Sequence, residues 1–280
     1  MKTSLLVIYL LALSITVQAL THSSPAVDEE FHFNVLISTD GRDPQDGSMI
    51  PAFCNASFVH PLVLVTAAHC LRDAHVLKSQ TVDIQTGQYK FVTKPDGTVG
   101  RVGYVLNPKQ RQSAKFIFTK NLTAKINSQG FQTQIGPQED LALVRLSSPL
   151  TDSLPMMAVI SQQELRGIAA SLTTYAPTVL SINPWADLTN LDTKRSANLN
   201  RLNWNGSGYF RSTSSSRVQE GDSGAPFFVR IGSNWKLAGV VKGKATTPFN
   251  DWDVFTGLDQ KICELATPID DTEIQDLLCH

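Results

Sequence analysis

Short apolar runs separated by clusters of Gly, Pro, Asn and Asp make up most of the amino-acid sequence from Phe31 onward. Between residues 71 and 139 no stretch of useful length has helical periodicity, and no internal repeat is present. The turn signal Lys94–Gly97 is one of several that separate these runs. The pattern therefore predicts an all-β chain of antiparallel strands that closes into a barrel. Strand-like patterns cover, among others, residues 31–37, 81–84, 89–93 and 115–119.

Three separate segments carry residue types that can cooperate in nucleophilic catalysis. Ser223 lies in Gly221–Gly224 (Gly-Asp-Ser-Gly), where glycines permit a tight turn that presents the hydroxyl and nearby N–H groups to one substrate atom. A serine hydroxyl is a weak nucleophile without a base, and the base needs a third group to orient it. His69 ends the apolar run Leu64–Ala68, and Asp140 begins another strand-like run. These residues are the candidate base and carboxylate.

In the order His, Asp, Ser, the three segments resemble the active-site motifs of the chymotrypsin-like (trypsin-like) serine proteases. The resemblance extends from about Phe31 to the C-terminus. It implies two antiparallel six-stranded β barrels with a short C-terminal helix, the barrels covering about residues 31–146 and 156–265. A helix-start signal at Thr267–Asp270 predicts that this helix runs to about Leu278.

The same resemblance implies a role for each candidate residue. Ser223 Oγ would attack a peptide carbonyl, His69 would take up and return the proton, and Asp140 would fix the imidazole tautomer. The N–H groups of Gly221 and Ser223 would stabilise the oxyanion. The implied function is that of a serine endopeptidase acting on polypeptides through an acyl-enzyme, with no cofactor and no metal.

The P1 specificity pocket allows two hypotheses. Arg217 stands six residues before Ser223, where trypsins carry the aspartate at the base of the pocket. Lys242 and Lys244 follow the strand Ala238–Val241, where a pocket wall is expected. A basic pocket would favour an acidic P1 residue and repel Lys or Arg. In the alternative hypothesis, Arg217 points to solvent. The absence of the cysteines that normally frame this pocket supports this alternative.

Two other functions are weighed against the protease. An α/β-hydrolase esterase requires Gly-x-Ser-x-Gly followed by an acid and a histidine. Here Ala225 replaces the last glycine and only His280 follows Ser223, so this function is excluded. A catalytically silent homologue that acts as a binding or regulatory protein stays open. The complete His, Asp and Ser set argues against that alternative, whereas the unusual pocket and the lack of an Ile-Val-Gly-Gly-like activation sequence before Phe31 keep it open. The lack of this sequence also predicts that no trypsin-type activation cut occurs.

Residues 1–19 have the features of a secretory signal peptide. Lys2 is followed by an unbroken apolar run, Leu5–Leu13, and by the small-residue cleavage pattern Val17–Ala19. A membrane anchor is disfavoured because a span needs about 20 apolar residues. We therefore expect a secreted protein, extracellular or periplasmic, with an N-terminal tail at residues 20–30 and the protease domain at 31–280.

Charge and cysteine content limit the expected partners. The 24 basic and 25 acidic side chains give no overall field that would attract nucleic acid or an anionic membrane, so neither partner is expected. Four cysteines in an exported chain favour disulfides over a zinc site, because the spacings are not of the C-x-x-C kind. Three pairings are possible from the sequence alone. The resemblance selects Cys54 with Cys70, and Cys263 then pairs with Cys279.

Overall fold

The chain folds into two β sheets with a few short helices, as described by a computed structural model. Strands dominate both halves of the chain, so the predicted all-β class is confirmed. The described residues are 24–25, 33–43, 45–93, 97, 99–150, 156–170, 177–182, 194–199, 202–204, 208–212, 218–246, 251–258 and 261–279.

The first half of the described chain contains nine strands and two α-helices. The strands are β1 (Ser24–Pro25), β2 (Asn34–Arg42), β3 (Met49–His60), β4 (Val63–Thr66), β5 (Thr81–Gln85), β6 (Gly87–Thr93), β7 (Val99–Leu106), β8 (Gln110–Ile117) and β9 (Ala142–Leu146). The helices are α1 (His69–Val76) and α2 (Lys120–Gln129), the latter followed by a 3-10 turn (Gly130–Gln132).

The second half of the described chain continues with eight strands and three helices. The strands are β10 (Ala158–Val159), β11 (Thr178–Ile182), β12 (Lys194–Asn198), β13 (Leu202–Trp204), β14 (Tyr209–Ser212), β15 (Pro226–Ile231), β16 (Asn234–Thr246) and β17 (Asp251–Gly257). The helices are α3 (Gln162–Ala170), α4 (Lys261–Ala266) and α5 (Thr272–Cys279).

Six strands of the first half close into an antiparallel barrel in the order β2-β3-β4-β9-β8-β5. Apolar side chains from these strands fill its interior, and in β5 the buried Val82 and Ile84 alternate with partly exposed neighbours. Closure leaves no free edge within this sheet. The first predicted barrel is therefore confirmed.

The second sheet contains nine strands within the described residues and is curled rather than closed. Its order is β1-β12-β11-β15-β16-β17-β14-β13, and β10 pairs parallel with β16. The predicted pair of barrels thus exists as one closed barrel and one larger curled sheet, in place of a second barrel of six strands. Phe33 packs edge-on against Phe228 of β15 with 6.1 Å between ring centroids, which joins the two sheets in one core.

Helices α1 and α2 show that the expectation of no helix between residues 71 and 139 was wrong. Thr119 caps α2, its side chain accepting the Leu122 N–H at 3.3 Å, and the helix buries only Leu122 and Ile126. Helices of eight to ten residues with so few buried positions have a weak apolar period, and tertiary packing stabilises them more than propensity does.

A C-terminal helix is confirmed, but it begins later than the sequence signal indicated. Thr267 Oγ1 donates to Cys263 O at 3.0 Å, so Thr267 closes the end of α4 instead of starting a new helix. Asp271 caps α5 by accepting the Ile274 N–H at 3.3 Å. The Cys263–Cys279 disulfide then ties α4 to the last turn of α5.

The N-terminal prediction falls mostly outside the described residues, which include none of residues 1–23. Within the predicted loose tail, however, Ser24 and Pro25 pair antiparallel with β12 and so extend the second sheet. Every helix in the described part of the chain is too short or too polar to cross a bilayer.

Candidate active site

His69 and Asp140 form a hydrogen-bonded pair beside the closed barrel. Strand β4 lies antiparallel to β9 with Thr66 opposite Ala142, which brings the segment after β4, with His69, next to the segment before β9, with Asp140. The His69 ring Nδ1 lies 2.7 Å from Asp140 Oδ2, and the His69 backbone N–H donates to Oδ1 at 2.8 Å. Asp140 is fully buried, whereas the His69 side chain is 29% exposed, so the ring is open to a reactant on one side.

The environment of Asp140 keeps it ionised. Burial raises the pKa of this carboxyl, but the charge and hydrogen bonds of His69 and the charge of Lys242 together outweigh burial and lower the pKa to about 2. An anionic Asp140 accepts the proton on Nδ1 of the ring. This bond assigns the neutral tautomer whose Nε2 is free to take up a proton.

Ser223 lies on a turn that only glycine-rich sequence can form. Gly221 and Gly224 have φ angles of +91° and +76°, in the left-handed region that favours glycine. The Ser223 carbonyl accepts the Asn55 N–H of β3 at 2.7 Å, and the Gly224 N–H donates to Val241 O of β16 at 2.8 Å. The turn is therefore fixed to both sheets.

A closed series of contacts holds the Ser223 turn against the His69–Asp140 pair. Asn55, which binds the Ser223 carbonyl, directly follows Cys54, and Cys54 forms a disulfide with Cys70, the neighbour of His69. On the other side, Val241 binds Gly224 and is followed by Lys242, which reaches Asp140. No hydrogen bond joins Ser223 Oγ to the His69 ring among the described contacts; in free enzymes this bond often tightens only when substrate binds.

Two N–H groups of the turn have no acceptor among the described contacts. The N–H groups of Asp222, Gly224 and Ala225 donate to backbone carbonyls within the fold. Among the described residues no acceptor takes the N–H of Gly221 or of Ser223. These are the two donors that the sequence assigned to the oxyanion.

Asn55 is a residue of this site to which sequence reasoning gave no role. Its side chain is fully buried, and Nδ2 donates to Gly221 O at 2.9 Å and to Ile182 O at 3.2 Å, while Oδ1 accepts the Ile182 N–H at 2.8 Å. Although Asn55 begins an Asn-Ala-Ser triplet, this amide is bonded in the interior and connects the Ser223 turn to β11. A polar residue inside the apolar strand β3, next to a half-cystine, was the available signal.

Asp222 is buried directly before Ser223 and is bonded within the same network. Its carboxylate accepts the Ser181 hydroxyl and the Gln219 N–H, each at 2.6 Å. Ser181 in turn lies 3.3 Å from the Asn55 amide. The network therefore fixes the backbone on the N-terminal side of Ser223.

Lys242, which was assigned to the wall of the P1 pocket, contacts the buried carboxylate of Asp140. Its Nζ lies 2.9 Å from Asp140 Oδ2 and 2.9 Å from the carbonyl of Ile135. A buried carboxylate attracts the ammonium inward, which a sequence pattern along β16 could not reveal. Lys244, also assigned to the wall, donates to Gln219 Oε1 at 2.9 Å. Arg217, the expected pocket base, lies outside the described residues.

Both predicted disulfides are confirmed, Cys54–Cys70 and Cys263–Cys279, and no cysteine is free within the described chain. The sulfur of Cys70 lies 3.9 Å from His69 Nε2. Because both sulfurs beside the ring belong to a disulfide, they offer no thiolate to a metal ion.

An all-β chain with histidine and aspartate on a closed barrel, and a serine turn on a second sheet, has the architecture of chymotrypsin-like proteins. Comparison with known families agrees, since the family model described as Trypsin matches residues 22–261. The chain belongs to this family of serine proteases. The match also includes β1, which had been assigned to the tail. No curated protein matches the chain.

Proposed function

We propose that the chain is a secreted serine endopeptidase that uses His69, Asp140 and Ser223 as its catalytic triad. One observation carries the proposal: the buried Asp140 binds Nδ1 of His69 at 2.7 Å, while the Ser223 turn is bonded to Asn55 of β3, whose neighbour Cys54 forms a disulfide with Cys70 next to His69. The family acts on polypeptides, which are the proposed substrates. The two disulfides are consistent with an oxidising, extracellular location.

In the proposed mechanism His69 Nε2 accepts the proton of Ser223 as Oγ attacks the scissile carbonyl carbon. The carbonyl oxygen becomes an oxyanion, which the N–H groups of Gly221 and Ser223 stabilise. The protonated ring then gives its proton to the leaving amine and the C–N bond breaks. Water, activated by the same ring, hydrolyses the acyl-enzyme and restores Ser223. Asp140 orients the ring throughout.

A serine-directed fluorophosphonate is expected to label the wild-type protein and not Ser223→Ala. The reagent needs an activated serine, so labelling reports the triad without knowledge of the substrate. Gel fluorescence after a timed reaction provides the measurement, with Ser233→Ala, a change in an exposed turn, as the matched control. If the wild-type protein resists the reagent while remaining folded, the catalytically silent homologue becomes the better description.

The active form is expected to begin at about Leu20, after signal-peptide removal, with no further activating cut. The contacts of Asp222 with Ser181 and Gln219 support this, because the carboxylate before the serine is bonded to groups that exist in the uncut chain. N-terminal sequencing of fluorophosphonate-labelled protein measures it. A labelled form that starts downstream of Ala26 would show that activation by cleavage occurs.

An acidic P1 preference has less support than the triad. It depended on cations at the pocket, and Lys242 is bound to Asp140 instead. Arg217 and Lys244 are the cations that such a pocket would still use.

A further inference from the structure

Two donors share a single oxygen of the candidate catalytic carboxylate. Asp140 Oδ2 lies 2.7 Å from His69 Nδ1 and 2.9 Å from Lys242 Nζ. The other oxygen, Oδ1, is taken by the His69 backbone N–H. Lys242 is held by a second acceptor, the carbonyl of Ile135, so its ammonium is fixed at two points of the segment before β9. Two acceptors therefore hold the Lys242 ammonium, and one of them is a fully buried carboxylate.

Lys242 places a positive charge next to the Asp140–His69 pair. Asp140 is fully buried and the Lys242 side chain is 24% exposed, so solvent screens their attraction only in part. Because His69 and Lys242 contact the same oxygen, their nitrogens lie within about 6 Å of each other, a range in which like charges disfavour ionisation. When His69 takes up a proton, the positive charge of Lys242 therefore already offsets the negative charge of the ionised Asp140.

Other charged groups on the adjoining elements have partners of their own or are exposed. They are Lys125 of α2 with Glu139, Arg72 with Asp73 on α1, Asp222 bonded to Ser181, Lys244 of β16 bonded to Gln219, and the exposed Glu220. Within the described part of the chain, Lys242 is thus the cation in direct contact with the carboxylate that orients His69.

We propose that Lys242 is a positioning residue of the triad: its ammonium shares Asp140 Oδ2 with the ring of His69, holds the carboxylate in place and offsets the negative charge that the ring faces. The same charge weakens the stabilisation of the protonated ring as the peptide bond is attacked. This inference rests on the proposed function.

Lys242→Gln separates charge from hydrogen bonding, because the amide can still donate to Asp140. The acidic limb of its pH profile of kcat/KM is expected to move to higher pH by about one unit, since the positive charge of Lys242 near His69 is removed. Its kcat above that limb is expected to rise a few-fold, so that the variant and wild-type curves cross. Lys242→Met should behave similarly, and Lys242→Arg should keep the wild-type limb.

Lys236→Met is the matched control. Lys236 lies on the same strand and its Nζ binds Glu164 at 2.6 Å, away from the triad. The control should leave the acidic limb in place. Superimposable profiles for Lys242→Gln and wild type would show that Lys242 supplies only packing or a hydrogen bond, and would overturn the inference.

A spectroscopic titration tests Lys242 even if the protein has no protease activity. In a Ser223→Ala background, the low-field proton NMR signal of the His69 Nδ1–H group is followed from pH 4 to pH 9 with Lys or Gln at position 242. The transition is expected about one pH unit higher with Gln. Equal transitions refute the role of Lys242, whereas a shifted transition combined with failure of fluorophosphonate to label the protein that retains Ser223 refutes the proposed function alone.

Discussion

Replacing Asp140 by asparagine is expected to lower kcat by about ten-thousandfold, with a much smaller change in KM. The carboxylate accepts the His69 ring through one oxygen and the His69 backbone through the other. An amide has a single acceptor oxygen, so one of these two N–H groups must face an NH₂ donor. If the ring faces it, the imidazole adopts the other tautomer and Nε2 cannot take the Ser223 proton.

The measurement is the steady-state rate on a peptide substrate, with circular dichroism to confirm that each variant is folded. Glu139→Gln is the matched control because Glu139 adjoins Asp140 in sequence but binds Lys125, outside the triad. That control should stay within a few-fold of wild type. A loss of less than tenfold in Asp140→Asn would remove Asp140 from the mechanism.

Asp140→Asn also leaves the Lys242 ammonium without its carboxylate. Losing the partner of a partly buried charge costs roughly 1–3 kcal/mol of folding stability. Adding Lys242→Gln should restore much of that stability without restoring activity, because the tautomer defect is unchanged. Comparing stability and activity between the single and the double variant would distinguish the role of Asp140 in catalysis from its role in folding.

Local pattern was enough to predict the main strands and to propose the residues of the candidate site. The runs that end at His69 and begin at Asp140 are strands in register, and glycines flank Ser223 where the backbone has positive φ. Both disulfides followed from the family resemblance. The strands and the Ser223 turn are encoded within a few residues of each motif, which is why they could be predicted.

The contacts made by long or buried polar side chains could not be predicted from the sequence. Lys242 and Asp140 are separated by 102 residues, and nothing near either residue reports that they meet. Asn55 similarly joins β3 to the Ser223 turn and to β11 through an amide whose partners come from three segments. Pairings of this kind depend on how the two sheets pack, and so they appear only when the structure is known.

Gly224→Ala is expected to lose at least a hundredfold in kcat/KM and about 3 kcal/mol or more of folding stability. A Cβ at this position would overlap the Asn55 carbonyl oxygen and Thr66 Oγ1, which are hydrogen-bonded to each other between β3 and β4. The φ angle of +76° adds the strain of a left-handed conformation. Relief of the overlap must displace Ser223 from His69, since Gly224 is its direct neighbour.

Gly232→Ala separates these two causes, because Gly232 also has a positive φ, +62°, but a Cβ there would meet nothing within 4 Å. It should cost only about 1 kcal/mol and leave kcat/KM unchanged. Urea unfolding and peptide hydrolysis on both variants provide the measurement. If the two substitutions destabilise equally and activity survives in both, then backbone conformation alone explains Gly224. In that case the close approach of β3 to the Ser223 turn does not hold the nucleophile in place.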